Sequence, residues 1–137
     1  MKIYLAGASS DLAACEHWRD KLIAAGHVIT HDWVSDVQAA IACGLRDHDH
    51  PPEERRAFAL KDLRGVADAD LVWILSSDGN SIGRWVELGF ALAAARPLIG
   101  SGPWRTIFQD VIDPRFQFGA HEEAWDWILT HCQTEGT

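Results

Sequence analysis

Positive charge is scarce in this sequence. Its 137 residues include 12 lysines and arginines against 20 aspartates and glutamates, which gives a formal net charge of −8. A protein that binds a nucleic-acid polymer needs a basic face that neutralises several phosphates. The composition therefore argues against DNA or RNA as a partner, but it leaves room for a small nucleotide, which needs only a few local donors.

Paired cysteines are also absent. Cys15, Cys43 and Cys132 are far apart and show no C-x-x-C spacing, so neither a disulfide framework nor a zinc site is indicated. We expect free thiols in a reducing compartment. The run of aspartate and histidine at 47–50 ends on two prolines, and a flexible loop of that kind is a poor metal site because its ligands are not held in place. We therefore expect neither a metal ion nor a cofactor.

Long hydrophobic runs are missing as well. No apolar stretch approaches the roughly 20 residues of a membrane-spanning helix. The apolar run at 2–6 meets glycine and serine at once, so it does not form the hydrophobic region of a signal peptide. We expect a cytoplasmic protein without a membrane partner. The length suits one domain, and we assign a single domain to residues 1–137.

The chain does contain an alternation of apolar runs and amphipathic segments. Apolar runs bounded by turn residues predict strands at 2–6, 27–31, 71–75, 97–100 and 115–118. Apolar residues at helical spacing predict helices at 12–25, 35–43, 53–66, 84–95 and 121–131. In the last helix, Trp125, Ile128 and Leu129 are expected to face inward.

Strands that alternate with helices favour a parallel sheet with helices on both faces. We predict an α/β fold, a flavodoxin-like doubly wound parallel sheet of about five strands in the order 2-1-3-4-5. Sheets of this kind bind ligands beyond the carboxyl ends of their strands, where the strand order reverses beside strand 1. The loops at 7–11, 31–34 and 76–83 are therefore the candidate binding loops.

The first of these loops opens a helix. Free N–H groups around Gly7, Ser9 and Ser10 could bind an anion or a sugar hydroxyl. The alternative is that Ser10 or Asp11 simply caps the helix. The loop is neither a Walker phosphate loop nor a G-x-G-x-x-G dinucleotide fingerprint.

Three polar residues stand where chemistry is possible. Glu87 follows the third strand near the start of a helix, where an acid either compensates the helix dipole or reaches into the cleft. Gly89 behind it would let a neighbouring element come close. Asp62 lies among basic residues and is either a surface salt bridge or a functional acid. Tyr4, the only tyrosine, predicts a hydrogen bond at the cleft or a buried structural one.

The segments that carry these residues resemble, in order and over most of the chain, the nucleoside 2-deoxyribosyltransferase-like family. That family includes the transferases and the 2′-deoxynucleoside 5′-phosphate N-hydrolases. The similar segments are KIYLAG at 2–7, KDLRGV at 61–66, DADLV at 68–72, SIGRWVELGFA at 81–91 and RPLI at 96–99.

The resemblance implies a role for each of the three residues. Glu87 is similar to the nucleophile that attacks C1′ of the deoxyribose and forms a glycosyl-enzyme intermediate. Asp62 is similar to the acid/base that serves the leaving base and then the acceptor, and Tyr4 to the residue that orients the nucleophile. Two carboxylates with opposite duties are what a double displacement needs.

The resemblance also implies how the substrate binds. The base is expected to stack near His31 and Trp33, and Gly83 is expected among the substrate-binding residues. Ser81 stands where the transferases carry an aspartate for the 5′-hydroxyl and where the monophosphate hydrolases carry a serine for the phosphate. Thr106 or a neighbour is expected to reach across the interface of a homo-oligomer to complete the 5′ end, so that active sites are shared between subunits.

The branch within the family stays open at this point. The hydrolases carry a basic residue in the first loop, whereas this chain has Asp11 there, and an acid beside a phosphate weakens binding. The leading expectation is therefore transfer between 2′-deoxynucleosides. The alternatives are a 2′-deoxynucleoside 5′-monophosphate N-glycosidase and a nucleotide-binding sensor module without catalysis. A short Rossmann oxidoreductase is disfavoured, because the chain has no Tyr-x-x-x-Lys pair.

Overall fold

The computed structural model describes residues 1–132, which form alternating strands and helices. The strands are β1 (Lys2–Ala6), β2 (Val28–Ile29), β3 (Leu71–Leu75), β4 (Leu98–Ser101) and β5 (Gln117–Phe118). The α-helices are α1 (Leu12–Ala24), α2 (Trp33–Ala42), α3 (Pro52–Asp68), α4 (Gly83–Ala93) and α5 (His121–His131). Short 3₁₀ turns occur at Ser9–Asp11, Asp47–Asp49, Ile107–Val111 and Pro114–Phe116.

All five strands pair in parallel, in the order β2-β1-β3-β4-β5. This confirms the predicted α/β fold and strand order. The register places Tyr4 beside Val72 and Trp73 beside Ile99. The order reverses at β1, so the carboxyl ends of β1 and β3 flank the point where such sheets bind ligands.

The sheet separates two apolar layers. One lies beneath α1 and α5 and includes Trp18, Trp73 and Ile128, all at least nine-tenths buried. The other includes Tyr4 on β1, Val66 on α3 and Leu88 on α4. The two central strands β1 and β3 are buried almost throughout, because helices cover both faces.

Two predicted strands are shorter than their apolar runs. β2 covers only Val28–Ile29, although the Thr30 N–H still donates to the carbonyl of Ile3 on β1 at 3.0 Å, and the Thr30 hydroxyl donates to the carbonyl of Gly65 at 2.7 Å. β5 begins only at Gln117, because Asp113 caps a 3₁₀ turn at Pro114–Phe116.

Two helix predictions are also corrected. α2 begins at Trp33 rather than at residue 35, since the Asp32 carboxylate accepts the Ser35 N–H and caps the helix there. In α5 Ile128 is buried and Trp125 packs against the core, as predicted, whereas Leu129 is 56% exposed, so its predicted inward orientation is wrong. Within residues 1–132 no helix combines the length and hydropathy needed to cross a membrane.

Candidate active site

A tyrosine and a glutamate meet at the carboxyl end of the sheet. Tyr4 is fully buried on β1, and its hydroxyl donates a hydrogen bond to Oε2 of Glu87. Glu87 lies on α4 and faces inward with Leu88 and Ala91, with only 8% of its surface exposed. No other residue in 1–132 hydrogen-bonds to this carboxylate, so its Oε1 is left available.

Burial sets the protonation of this pair. It raises the pKa of Glu87 to about 8, and the negative charge of Asp62 adds to that rise, while the Tyr4 hydrogen bond opposes it. Burial and the nearby charge of Glu87 together raise the pKa of Tyr4 well above its usual range. The Tyr4 hydroxyl therefore stays protonated and serves as a donor throughout the pH range in which proteins work.

A second carboxylate lies close enough for its charge to act on both members of the pair. Asp62, half-buried on α3, has Oδ1 3.4 Å from Nε2 of His31. The same Nε2 lies 3.2 Å from Oδ2 of Asp36 on α2. Burial raises the pKa of Asp62 to about 6, against the lowering effect of His31 and with a further rise from Asp36. Among residues 1–132 Asp62 forms no ion pair with lysine or arginine, so the surface salt-bridge alternative is wrong.

A glycine on α3 allows this arrangement. Gly65 lies three residues after Asp62 in the same helix, and a Cβ there would be 2.9 Å from both the Tyr4 ring and Cβ of His31. The absence of a side chain at Gly65 lets α3 lie directly against β1 and the end of β2. A glycine inside a long helix signals close packing, but the sequence does not show which residues would pack against it.

The first loop lies against the loop that follows β3. Ser9 and Ser10 are exposed, and a Cβ on Gly79 would be 2.2 Å from the Ser10 hydroxyl, so the two loops nearly touch. Ser10 and Asp11 line a cleft of about 410 Å³ together with His121. The side chains of Ser10 and Asp11 make no capping hydrogen bond to α1, so the capping alternative is wrong.

At Gly7 a Cβ would be 2.5 Å from Sγ of Cys15. The glycine therefore allows α1 to pack closely behind the loop.

Ser81 lies in a separate cleft of about 330 Å³, which we call the α4 cleft. Its walls include Asn80, Ser81, Arg84, Trp85 and Arg105. Gly83 is the first residue of α4, and a Cβ there would be 4.0 Å from Oε1 of Glu87. The β3–α4 loop and the start of α4 thus contribute both to the α4 cleft and to the surroundings of Glu87.

The remaining predicted site residues are spread around this end of the molecule. Trp33 is half-buried, and its indole N–H donates to the carbonyl of Leu5 at 2.7 Å. Thr106 lines neither cleft, and its hydroxyl accepts the N–H of Phe108 at the start of a 3₁₀ turn. A Cβ added at Gly89 would meet no heavy atom within 4 Å among the described residues, so the expected close approach of a neighbouring element is wrong there.

The site therefore brings together Tyr4, Asp62, Glu87 and His31, with Ser81 and Gly83 beyond the start of α4. Thr106 of the same chain does not line either of the two clefts at this site. Asp36 was not anticipated from the sequence, because its place beside His31 depends on how α2 packs against α3.

Two solved structures share this architecture over almost the whole chain. One is a 2-deoxyribosyltransferase from Bacillus psychrosaccharolyticus, with a TM-score of 0.66 and 19% identity over 90% of this chain and 89% of that one. The other is a 2-deoxyribosyltransferase from Leishmania mexicana, with a TM-score of 0.58 and 15% identity over 96% and 99%.

This chain has the fold of those 2-deoxyribosyltransferases. No family model and no curated protein sequence matches it. At such identities the likeness shows the fold, and the activity has to be argued from the site.

Proposed function

We propose that this protein cleaves the N-glycosidic bond of 2′-deoxynucleosides through a covalent deoxyribosyl-Glu87 intermediate, as a nucleoside 2-deoxyribosyltransferase. One observation carries the proposal: the buried Glu87 carboxylate is held by the Tyr4 hydroxyl within reach of the charge of Asp62. The fold shared with two 2-deoxyribosyltransferases supports it.

The first step forms the intermediate. Oε1 of Glu87 attacks C1′ of the deoxyribose while the bond between C1′ and the base nitrogen breaks. The base leaves with the electron pair of that bond and takes the proton of Asp62. The deoxyribose carries positive charge in the transition state, which a desolvated carboxylate stabilises more strongly than a solvated one.

In the second step the proton moves in the opposite direction, back to Asp62. An incoming base, or water, gives its proton to the Asp62 carboxylate and attacks C1′. The bond from C1′ to Glu87 breaks and the carboxylate is regenerated. With a base as acceptor the reaction is transfer, and with water it is hydrolysis. A 2′-deoxy sugar lacks the electron-withdrawing 2′-hydroxyl, so the positive charge develops readily, and we assign no metal and no cofactor.

The environments of the two carboxylates suit this division of work. Glu87 is more deeply buried, and its orientation is fixed by Tyr4, as a nucleophile requires. Asp62 is half-buried and paired with His31, and its pKa of about 6 suits proton exchange near neutral pH. Because the pKa of Glu87 lies above that of Asp62, the reactive form, with the proton on Asp62 and Glu87 ionised, is the minor of the two singly protonated forms.

We further assign substrate contacts from the same resemblance. The base stacks near His31 and Trp33, and the sugar lies between the first loop, with Gly7, Ser9 and Ser10, and the start of α4, with Ser81 and Gly83. In a homo-oligomer, Thr106 of a second copy completes the 5′ end.

Exposed apolar side chains support the homo-oligomer. Ile82 and Val86 on or beside α4 are 82% and 58% exposed, and Trp104 and Ile107 are 60% and 68% exposed. We propose a cytoplasmic, single-domain protein that acts as such an oligomer, and we expect sedimentation to show a species larger than a monomer.

The test is an incubation with deoxyinosine and free cytosine, followed by chromatography. We expect hypoxanthine and deoxycytidine to form with the native protein and with Glu122→Gln, which makes the same chemical change on the exposed face of α5. Glu87→Gln should lose the reaction. Equal product from Glu87→Gln and native protein would refute the assignment of the nucleophile.

A second incubation, with 2′-deoxynucleoside 5′-monophosphates in water, separates hydrolysis from transfer. Free base and deoxyribose 5-phosphate would indicate an N-glycosidase. Tight binding of a nucleotide without release of base in either incubation would instead indicate a sensor module.

A further inference from the structure

Two carboxylates face the same nitrogen of His31. Its Nε2 lies 3.2 Å from Oδ2 of Asp36 and 3.4 Å from Oδ1 of Asp62. One ring nitrogen carries at most one hydrogen, so a hydrogen on Nε2 cannot point at both carboxylates at once. A bare lone pair there would repel both of them. The two acids therefore compete for one N–H, and the shorter distance is to Asp36.

Asp36 has no other polar partner among residues 1–132. It lies in the first turn of α2, but the side chain that caps this helix is Asp32. No lysine or arginine of the described chain pairs with Asp36, and its contact with His31 is the one ion pair that it makes there. The local structure of α2 therefore does not account for the position of this carboxylate beside His31.

The groups that face Asp62 act on it in opposite directions. His31, in the loop after β2, lowers the pKa of Asp62, whereas Asp36 on α2 raises it. The other titratable neighbours are the two members of the buried pair, because the charge of Asp62 acts on Tyr4 of β1 and on Glu87 of α4. Asp36 is thus a charge that favours the proton on Asp62 although it takes part in neither step of the proposed reaction.

The proposed reaction depends on that proton. It needs Asp62 protonated while Glu87 is ionised, and this form is already the minor one. Without Asp36, the N–H of His31 would face Asp62 alone and the repulsion between the two carboxylates would be lost. Both changes favour the ionised form of Asp62, so the reactive form would become scarcer.

We propose that Asp36 is a positioning residue, which draws the N–H of His31 away from Asp62 and so leaves Asp62 able to hold the proton that the departing base takes. The inference rests on the proposed function, because it assigns Asp62 as the acid. Asp36 itself touches neither the base nor the sugar in this account. It acts through His31 and through its own charge.

The test compares Asp36→Asn with Glu122→Gln. Asp36→Asn removes the charge with little change in size from a side chain that is 42% exposed, so it opens no cavity. Glu122→Gln removes the same charge from the first turn of α5, where the side chain is exposed on the other side of the sheet.

The first measurement needs no turnover. The carboxyl carbon of Asp62 is followed by NMR against pH, and its signal is identified by its absence from Asp62→Asn. We expect Asp62 to titrate near pH 6 in the native protein and in Glu122→Gln, and at lower pH in Asp36→Asn. The same titration in Asp36→Asn as in the native protein would overturn the proposal.

The second measurement is kcat/KM for base release against pH. At about pH 4.5 Asp62 is mostly protonated in all three proteins, so their values should agree. At pH 7 we expect Asp36→Asn to be about three- to tenfold slower than the native protein, since a fall of one unit in the pKa of Asp62 makes the reactive form tenfold scarcer. A loss that is equal at every pH would indicate a merely structural role and would contradict the proposal.

The two measurements separate this inference from the proposed function. Base release by the native protein, together with an unchanged titration of Asp62 in Asp36→Asn, overturns the role of Asp36 and leaves the proposed function standing. If the native protein releases no base from 2′-deoxynucleosides or their 5′-monophosphates, the proposed function fails, and the NMR titration alone then decides whether Asp36 controls the proton on Asp62.

Discussion

Replacing Glu87 by glutamine should stabilise the protein, and the gain should depend on pH. The burial that raises the pKa of Glu87 from 4.5 to about 8 makes its charged form unfavourable in the folded state. In the unfolded chain the group ionises near its ordinary pKa, so between the two values the folded state binds more protons. Stability therefore falls as pH rises from about 4.5 to about 8 and then levels off.

The magnitude follows from the size of the shift. At about 1.4 kcal/mol per unit, the cost of Glu87 is roughly 3 kcal/mol at pH 7 and about 5 kcal/mol above pH 8. Glu87→Gln removes this cost and keeps an oxygen that accepts the Tyr4 hydrogen bond. The variant should match the native protein near pH 4.5 and exceed it progressively at higher pH.

The assay is urea unfolding at about pH 5, 7 and 9, at one fixed protein concentration because an oligomer would make stability concentration-dependent. Glu122→Gln, on the exposed face of α5, is the matched control and should show no such trend. A difference between Glu87→Gln and native protein that stays constant across this range would refute the reasoning that burial perturbs Glu87.

Three further predictions concern the same site. Tyr4→Phe removes a hydrogen bond that lowers the pKa of Glu87, so the upper apparent pKa of kcat/KM should rise and kcat/KM at neutral pH should fall; an unchanged profile would contradict the donor role. The native kcat/KM should be bell-shaped, with apparent pKa values near 6 and 8 that belong to Asp62 and Glu87 as a coupled pair; a flat profile between about pH 5 and 9 would contradict it. Gly65→Ala should destabilise the protein by about 1–3 kcal/mol and reduce activity, because the added Cβ would be 2.9 Å from the Tyr4 ring. Gly89→Ala, whose Cβ would meet nothing within 4 Å, should be neutral or stabilising in thermal unfolding. Equal effects of the two substitutions would contradict the close packing of Gly65 against Tyr4.

The sheet could be predicted from the sequence because its strands are continuous apolar runs between helical patterns. β1 and β3 agree with those runs residue for residue. β2 is shorter than its apolar run, and beyond it the Thr30 hydroxyl bonds the carbonyl of Gly65, a residue 35 positions away in the chain, which local sequence does not reveal. Helical spacing predicts Trp125, Ile128 and Leu129 on the inward face; Trp125 and Ile128 do pack against the core, but Leu129 is exposed and Ala124 is buried in addition.

The candidate site was predictable only in part. The order of the similar segments along the chain, and their resemblance to the deoxyribosyltransferase-like family, indicated Tyr4, Asp62 and Glu87. In the structure the Tyr4 hydroxyl bonds Glu87, and the charge of Asp62 acts on both residues. The pairing of His31 with Asp36, and the burial of Arg84 without a counter-charge, depend on how helices pack and have no signature in local sequence. Both features were therefore found only from the folded chain.

The central claim is that Glu87 forms a covalent bond to the deoxyribose. The most direct measurement is intact-protein mass spectrometry after rapid acid quenching of the protein with a 2′-deoxynucleoside, followed by peptide mapping. We predict a mass increase of one deoxyribosyl group on the peptide that contains Glu87, absent from Glu87→Gln. Release of free base by the native protein with no adduct, at a rate that Glu87→Gln shares, would contradict the account.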